Sequence, residues 1–230
     1  RRAIEGKDIG NGWSNSYYPG TFGIQGWHSD WSLYDAENLE AKAVGWDATY
    51  AFSLSQGAID QSGEKDAIFK AFRAWQNARA LTAFTRQQKL KLRDPAYKFH
   101  LEQTGPKKFV LYAIHEIRQA DKATITNPHA AQPLQFALRL VDQADGVSVM
   151  LPDGGQIKSD QRIEKGQFII CKGDTAYLAD NFRKKISDLT LARAATLPAG
   201  ESKISAAFPD KAARFDLTVW IAGKKETVRR

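Results

Sequence analysis

Two groups of side chains near the start of the chain have the types and the spacing that could support chemistry. The first is the run Trp27-His28-Ser29-Asp30-Trp31, in which flat aromatic faces lie beside groups that bond hydroxyls. Ligand sites generally combine apolar walls with a few polar groups, and this favours a carbohydrate surface. The alternative is that the tryptophans pack the loop onto neighbouring helices, since buried aromatic residues contribute much of the energy of a core. The six candidate ligand-binding residues are Tyr17, Tyr18, Trp27, His28, Asp30 and Trp31.

The second group is an acidic concentration made of Asp30, Asp35, Glu37 and Asp47. Two carboxylates held roughly 5 to 9 Å apart can hydrolyse a glycosidic bond. If the chain is an enzyme, Asp35 and Glu37 are the residues expected to do this. Helix capping is the competing interpretation, because an acidic residue at a helix start binds free backbone amides and suits the helix dipole.

The elements that position these groups follow from local pattern. Asp35 is expected to open a short helix over residues 36–44, which Gly45 ends. The alternating, aromatic and β-branched stretch 46–54 predicts a strand.

Two further helices are predicted before residue 105. Ser62 is expected to cap a longer helix, whose apolar residues recur on one face. Thr85 and Gln88 form a capping-box pattern that starts a third, short helix. Residues 1–105 are therefore predicted to form an aromatic-rich α/β segment with two to three helices.

From residue 106 onward the apolar residues recur with a period of two. Short strands separated by turn signals, with no helix between them, are typical of a β-sandwich or barrel. We predict a β-sandwich over residues 106–230, of jelly-roll or galactose-binding-like type, and an α+β class for the whole chain. The nine predicted strands are 109–117, 123–126, 134–141, 147–151, 167–171, 175–179, 186–191, 203–208 and 214–221.

Four stretches carry a resemblance to known proteins. Residues 35–54 (DAENLEAKAVGWDATYAFSL) look like the last helix–strand–helix turn of a TIM-barrel glycosidase. Residues 94–102 (DPAYKFHLE) resemble the linker from such a barrel into a C-terminal β-sandwich, which residues 127–134 (NPHAAQPL) and 163–168 (IEKGQF) also suggest. The chain thus resembles the C-terminal region of bacterial glycoside hydrolases and sugar-binding proteins. The resemblance implies a carbohydrate or glycan as partner and a catalytic barrel upstream.

The length of the α/β segment argues against a complete barrel. A TIM barrel needs about eight βα units and typically some 250 residues, whereas at most two units fit before Gly105. The leading prediction is therefore a carbohydrate-binding or accessory module, in an extracytoplasmic location. The alternatives are a glycoside hydrolase that uses carboxylates in the first fifty residues, and a structural support domain without a ligand.

Composition argues against other classes of function. No stretch approaches the roughly 20 apolar residues of a membrane-spanning helix. The net charge of +7 is scattered through turns and strand ends, whereas a nucleic-acid binder concentrates basic residues on one face. We therefore expect neither a membrane span nor a nucleic-acid partner.

Metal and cofactor signals are weak throughout the chain. The four histidines lack metal-ligand spacing, and no nucleotide-binding glycine motif is present, so no cofactor is expected. A structural calcium ion in a sandwich loop could use Asp142, Asp145 or Asp153, which are also ordinary turn residues. Cys171 follows an apolar run and is expected to be a buried, inert thiol.

Overall fold

The structure is a computed structural model and describes residues 21–121, 123–209 and 213–228. Contacts divide the chain into two compact units, which we treat separately. Unit 1 comprises Arg1–His115 and Gly223–Arg230, and unit 2 comprises Glu116–Ala222. Strands outnumber helices and form several antiparallel sheets, which confirms the predicted β-rich character of the chain.

The described elements, in chain order, are β1 Thr21–Gly26, α1 Leu33–Gly45, β2 Thr49–Ser53, α2 Gln56–Gln61, α3 Lys65–Ala80, α4 Arg86–Leu92, β3 Lys98–Gly105, β4 Lys108–Ala120, β5 Ala123–Asn127, β6 Gln132–Pro133, β7 Gln135–Leu140, β8 Ala144–Met150, β9 Gln156–Ile163, β10 Phe168–Lys172, β11 Thr175–Ala179, β12 Lys185–Leu189, β13 Thr196–Leu197, β14 Gly200–Ala207, β15 Phe215–Ala222 and β16 Glu226–Val228. All described helices lie in the first 105 residues, as predicted.

Unit 1 combines the four helices with the two-stranded sheet of β1 and β2 and with strands β3, β16 and the first part of β4. Strands β1 and β2 pair in parallel, with α1 between them in the chain. The first part of β4 pairs antiparallel with β3 and with β16. On β3, Phe99 and Leu101 alternate with polar residues, so both point to one face. There they join Trp75 of α3, Phe84 of the α3–α4 connection and other apolar side chains in a single core.

Helix starts follow the capping rules, with one exception. Thr85 and Gln88 form the predicted capping box at α4. Helix α1 begins three residues earlier than expected, because Ser32 is its N-cap and Asp35 is the reciprocal third-position partner. The prediction that Ser62 caps the long helix is wrong. Ser62 ends the unpredicted helix α2 instead, and α3 begins after Glu64 without a side-chain cap.

The segment that the resemblance makes a linker is partly a strand. Residues 98–102 belong to β3, where Leu101 lies opposite Leu111 of β4. The alternation of Lys98, Phe99, His100 and Leu101 is the period-two pattern of a half-buried strand.

Besides the short antiparallel pair β6–β13, unit 2 is built from two antiparallel sheets. One has the strand order β12-β11-β10-β7-β15, with the end of β4 beside β15, and the other has the order β5-β14-β8-β9. Apolar side chains from both sheets form one shared core, which is the layering of a β-sandwich. Each of the nine predicted strands overlaps an observed one, and Cys171 is buried as expected.

Candidate functional site

Helix α1 carries an unusual set of charged side chains into unit 1. All residues from Ala36 to Gly45 except Asn38 are buried, including Glu37, Glu40 and Lys42. A helix that is covered on every side normally carries apolar residues all round. Each buried charge therefore needs its own partners.

Asp35 lies at the start of this helix and is fully engaged. Its carboxylate accepts hydrogen bonds from the Ser32 amide at 3.0 Å and hydroxyl at 2.6 Å, and pairs with Lys98 Nζ at 2.5 Å. Burial alone would raise the pKa of Asp35, but Lys98 and Ser32 outweigh it and lower the pKa to about 2. Asp35 is therefore an ionised capping and pairing group.

Glu37 has no exposed surface and accepts three hydrogen bonds. Its Oε1 receives the Trp75 indole N–H at 2.9 Å and the Leu101 amide at 3.0 Å. Its Oε2 lies 2.7 Å from His100 Nδ1. The carboxylate thus binds the backbone of strand β3 to the helix and holds one histidine ring in place.

His100 is the accessible end of this network. Its ring stacks on Tyr112 at 6.1 Å and meets the edge of Tyr34 at 6.0 Å, and 30% of the side chain is exposed. Burial lowers the pKa of His100, but the hydrogen bond and charge of Glu37, together with Glu102, reverse this and raise the pKa above its usual value.

We call Glu37 and His100 the carboxylate–histidine pair. Because Nδ1 is occupied by the carboxylate, Nε2 is the ring nitrogen left for solvent or a ligand. The pair can donate a hydrogen bond or carry a proton at a half-exposed position between two tyrosine rings. Glu37 itself reaches a ligand only through His100.

A second buried carboxylate lies one turn further along α1. Glu40 accepts from the Tyr50 hydroxyl at 2.5 Å and the Gln76 amide at 2.8 Å, and burial raises its pKa. Burial and the neighbouring Glu40 raise the pKa of Tyr50. The tyrosine hydroxyl therefore stays protonated and acts as a donor.

Lys42 is a further buried charged side chain, in the last turn of α1. Its Nζ donates to the carbonyls of Leu92 at 3.0 Å and Asp94 at 2.6 Å, just where helix α4 ends. Burial lowers the pKa of Lys42 to about 8. The lysine thus satisfies carbonyls that have no partner within the helix.

Residues 27–31, which we call the tryptophan turn, are anchored through Trp27. The Trp27 ring is only 8% exposed and stacks on Phe69 at 5.4 Å. Its indole N–H donates to the Ala58 carbonyl at 3.2 Å, and its amide to the Ser53 carbonyl at 3.1 Å. Trp27, one of the six candidate ligand-binding residues, therefore packs onto the helices and offers no open ring face to a sugar.

The rest of the tryptophan turn is more accessible. The Trp31 amide donates to the His28 carbonyl at 3.1 Å, and this turn brings the two rings to 5.2 Å with a tilt of 37°. His28 and Asp30 are exposed, and Trp31 is half-buried. Ligand binding by these three residues stays a prediction, while Tyr17 and Tyr18 lie outside the described residues.

The predicted catalytic carboxylates do not form an open pair. A glycosidase needs both groups to contact the glycosidic bond or the attacking water. Glu37 is wholly enclosed, and Asp35 is bound by Ser32 and Lys98. Both residues serve the helix and its packing.

His100, Glu40 and Lys42 were missed as members of a polar network. Sequence could have offered one signal, since Ala36, Ala41 and Ala43 place small residues around α1 and indicate close neighbours on several sides. The partners could not be inferred, because Glu37 and Leu101 are 64 positions apart.

The calcium candidates are engaged in ordinary contacts. Asp142 receives two hydrogen bonds from the Arg214 guanidinium, at 2.8 and 3.0 Å, and Asp153 accepts the backbone amides of Gly155 and Thr196. Within residues 21–121, 123–209 and 213–228, no three acidic, histidine or cysteine side chains cluster as metal ligands would. In the same ranges no helix has the length and apolar character needed to cross a membrane.

Comparison with known proteins gives little further information. The sequence matches no protein-family model and no curated protein. Among solved structures, the chain is similar to the SPP1 Dit protein (gp 19.1), described as a paradigm of the hub adsorption apparatus in phages that infect Gram-positive bacteria. The TM-score is 0.32 and the identity 12%, over 57% of this chain and 62% of that one. The match spans less than two thirds of that protein's length.

Proposed function

We propose that this chain is a non-catalytic carbohydrate-binding or accessory module of a carbohydrate-active protein, and that His28, Asp30 and Trp31 contact the sugar. The observation that carries the proposal is the pairing of the His28 and Trp31 rings at 5.2 Å, beside the exposed Asp30. An aromatic face offers apolar contact to a sugar ring, and the carboxylate and imidazole offer partners to hydroxyls.

Trp27 acts in this proposal as a positioning residue. Its ring lies 6.1 Å from that of Trp31 and is tilted by 50°. Because Trp27 is held by Phe69 and the Ala58 carbonyl, it supports Trp31 from the interior. Truncation of Trp27 should therefore weaken binding through loss of local structure.

The enclosure of Glu37 favours binding over hydrolysis. An enzyme that used Asp35 and Glu37 would have to expose a carboxylate that now holds Trp75, His100 and Leu101. The proposal accordingly assigns any glycoside hydrolysis to a separate catalytic barrel upstream. An extracytoplasmic location, a jelly-roll or galactose-binding-like type for unit 2 and a barrel-derived origin for unit 1 belong to the same proposal.

A structural support domain is the second candidate function. It is favoured because Trp27 is buried and because the buried charged side chains of α1 all bond to groups within the chain. Under this alternative the tryptophan turn is packing alone and binds nothing.

A neutral-glycan array followed by calorimetry separates these candidates. We expect Kd values in the micromolar to millimolar range. The Trp31→Ala variant should lose about tenfold or more, since stacking on an aromatic ring contributes about 1–3 kcal/mol in nucleic-acid complexes. Phe182→Ala, which removes an exposed aromatic ring from unit 2, is the control.

The other outcomes are equally informative. Absence of binding to any neutral glycan, with a folded protein, would leave the support-domain function as the better one. Turnover of aryl glycosides that Glu37→Gln abolishes would show that the chain is an enzyme.

A further inference from the structure

Unit 2 contains an open cleft that the proposed function does not use. The cleft lies between the turn that joins β8 to β9 and the segment that follows β12, and its volume is about 630 Å³. Sites for small ligands span about 300–1,000 Å³, so the space suits a sugar unit. Gly154, Gln156, Lys158, Thr190 and Arg193 contribute to its lining.

The two walls of this cleft are held together by Asp153. Its carboxylate accepts the Gly155 amide at 2.9 Å on one wall and the Thr196 amide at 3.0 Å beyond the other. An isolated bridge between Ile157 and Leu191 fixes the same two segments. The cleft is therefore formed before a ligand arrives, which lowers the entropy that binding has to overcome.

The lining of the cleft carries positive charge only. Lys158 and Arg193 line it, and no carboxylate does. Lys158 is exposed on β9, and none of the described carboxylates lies within ion-pair distance of it. Arg193 donates through one guanidinium nitrogen to the Asp153 carbonyl and lies 3.9 Å from the Asp153 carboxylate, which partly offsets its charge. A guanidinium has five N–H donors, so others remain for a ligand.

Neutral polar groups complete the lining. Thr190 contributes a hydroxyl and Gln156 a side-chain amide. Gly154 has φ +80°, and a Cβ placed there would meet nothing within 4 Å, so the backbone borders open space. Any other residue would be strained at this φ, so glycine is favoured here and no side chain narrows this side of the cleft.

We infer that this cleft binds an anionic saccharide. Lys158 and Arg193 hold its carboxylate or sulfate, in the manner of charge-assisted hydrogen bonds, while Thr190 and Gln156 bind its hydroxyls. The open side lets a chain continue beyond the bound unit. A single-stranded nucleic acid is disfavoured, because its sites combine basic side chains with aromatic ones on which bases stack, and the cleft lining contains no aromatic residue. This site is independent of the tryptophan turn.

Calorimetric titration of the full chain with three defined saccharides tests the inference. The probes are an oligogalacturonate for carboxylate, a heparin-derived oligosaccharide for sulfate, and maltohexaose as the uncharged reference. We expect at least one acidic probe to bind, and maltohexaose not to bind at this cleft. Lys158→Gln should weaken acidic binding about tenfold, since a hydrogen bond to a charged group is worth at least that factor. Added salt should weaken it further.

Lys203→Gln is the matched control, because Lys203 is an exposed lysine on β14 of the same sheet. It should bind the acidic probe as the parent chain does, and Trp31→Ala should as well. The inference is overturned if neither acidic probe binds, or if Lys158→Gln and Lys203→Gln weaken binding equally. Equal binding of a single-stranded oligonucleotide of the same charge would also overturn it. Loss of neutral-glycan binding in Trp31→Ala bears only on the tryptophan turn.

Discussion

Units 1 and 2 bury polar groups to very different extents. Among the described residues, the buried polar or charged side chains of unit 1 include three carboxylates and a lysine, whereas those of unit 2 are only Asn127 and Ser159. The core of unit 2 is almost wholly aliphatic and aromatic. Buried charges cost desolvation and are stable only when fully paired. We therefore expect the stability of unit 1 to depend on pH and on single hydrogen bonds, and that of unit 2 to depend on apolar packing.

The largest loss of stability is expected when Glu37 is replaced. Glu37→Ala leaves the Trp75 indole, the Leu101 amide and His100 without their acceptor in the interior. Breaking a buried charge network in this way costs about 3–5 kcal/mol in free energy of unfolding, measured by urea denaturation. Glu201→Ala, which removes an exposed carboxylate from β14, should change stability by less than about 0.5 kcal/mol. Equal effects of the two variants would refute the role given to Glu37.

Truncation of an apolar side chain in the core of unit 2 tests the contrast with unit 1. Leu138→Ala should cost about 2–5 kcal/mol through loss of apolar burial and a residual cavity. Because no titratable group contributes, this loss should be the same at acidic and neutral pH. A loss that varied with pH would mean that the core of unit 2 is coupled to charge.

Asp35 should make unit 1 sensitive to acid. Its folded-state pKa of about 2 lies below the ordinary 3.8, so its contribution is present above pH 3.8 and is lost as the pH falls toward 2. Asp35→Asn should therefore cost about 2 kcal/mol at neutral pH and little at pH 2. Urea midpoints across that range check this, and a cost independent of pH would contradict it.

A smaller effect is expected from His100 near neutral pH. Its pKa is raised in the fold, so the stability that it contributes is complete below the ordinary 6.5 and declines as the pH rises through the folded-state value. His100→Gln should flatten this decline, whereas His28→Gln, which alters an exposed ring, should leave it unchanged.

The smallest change in stability is expected when Ser62 is replaced. Its hydroxyl is buried and has no hydrogen-bond partner, so Ser62→Ala should leave stability unchanged or raise it by up to about 1 kcal/mol. Thr85→Ala removes a true N-cap and should cost about 1 kcal/mol. A comparable loss at Ser62 would restore the capping role that the sequence predicted.

Local pattern was sufficient for much of the fold. The nine strands after residue 106 were recognisable because strand periodicity and turn residues act over a few positions. The capping box of Thr85 and Gln88 was recognisable for the same reason. Strand β3 carried the same signal in Phe99 and Leu101, which the resemblance to a linker obscured. Strand β9 is harder to detect, since only its ends, at Ile157 and Ile163, are apolar.

Sequence alone determined the β-rich character of this protein, and it singled out the residues of the tryptophan turn. Only the tertiary structure decided which of those residues are exposed to solvent and which carboxylates are hydrogen-bonded inside the fold. Trp27 is buried because its partners come from Ala58 and Phe69, and Glu37 is enclosed because its partners come from α3 and β3. Such contacts join residues 31 to 64 positions apart, and local periodicity carries no information about them.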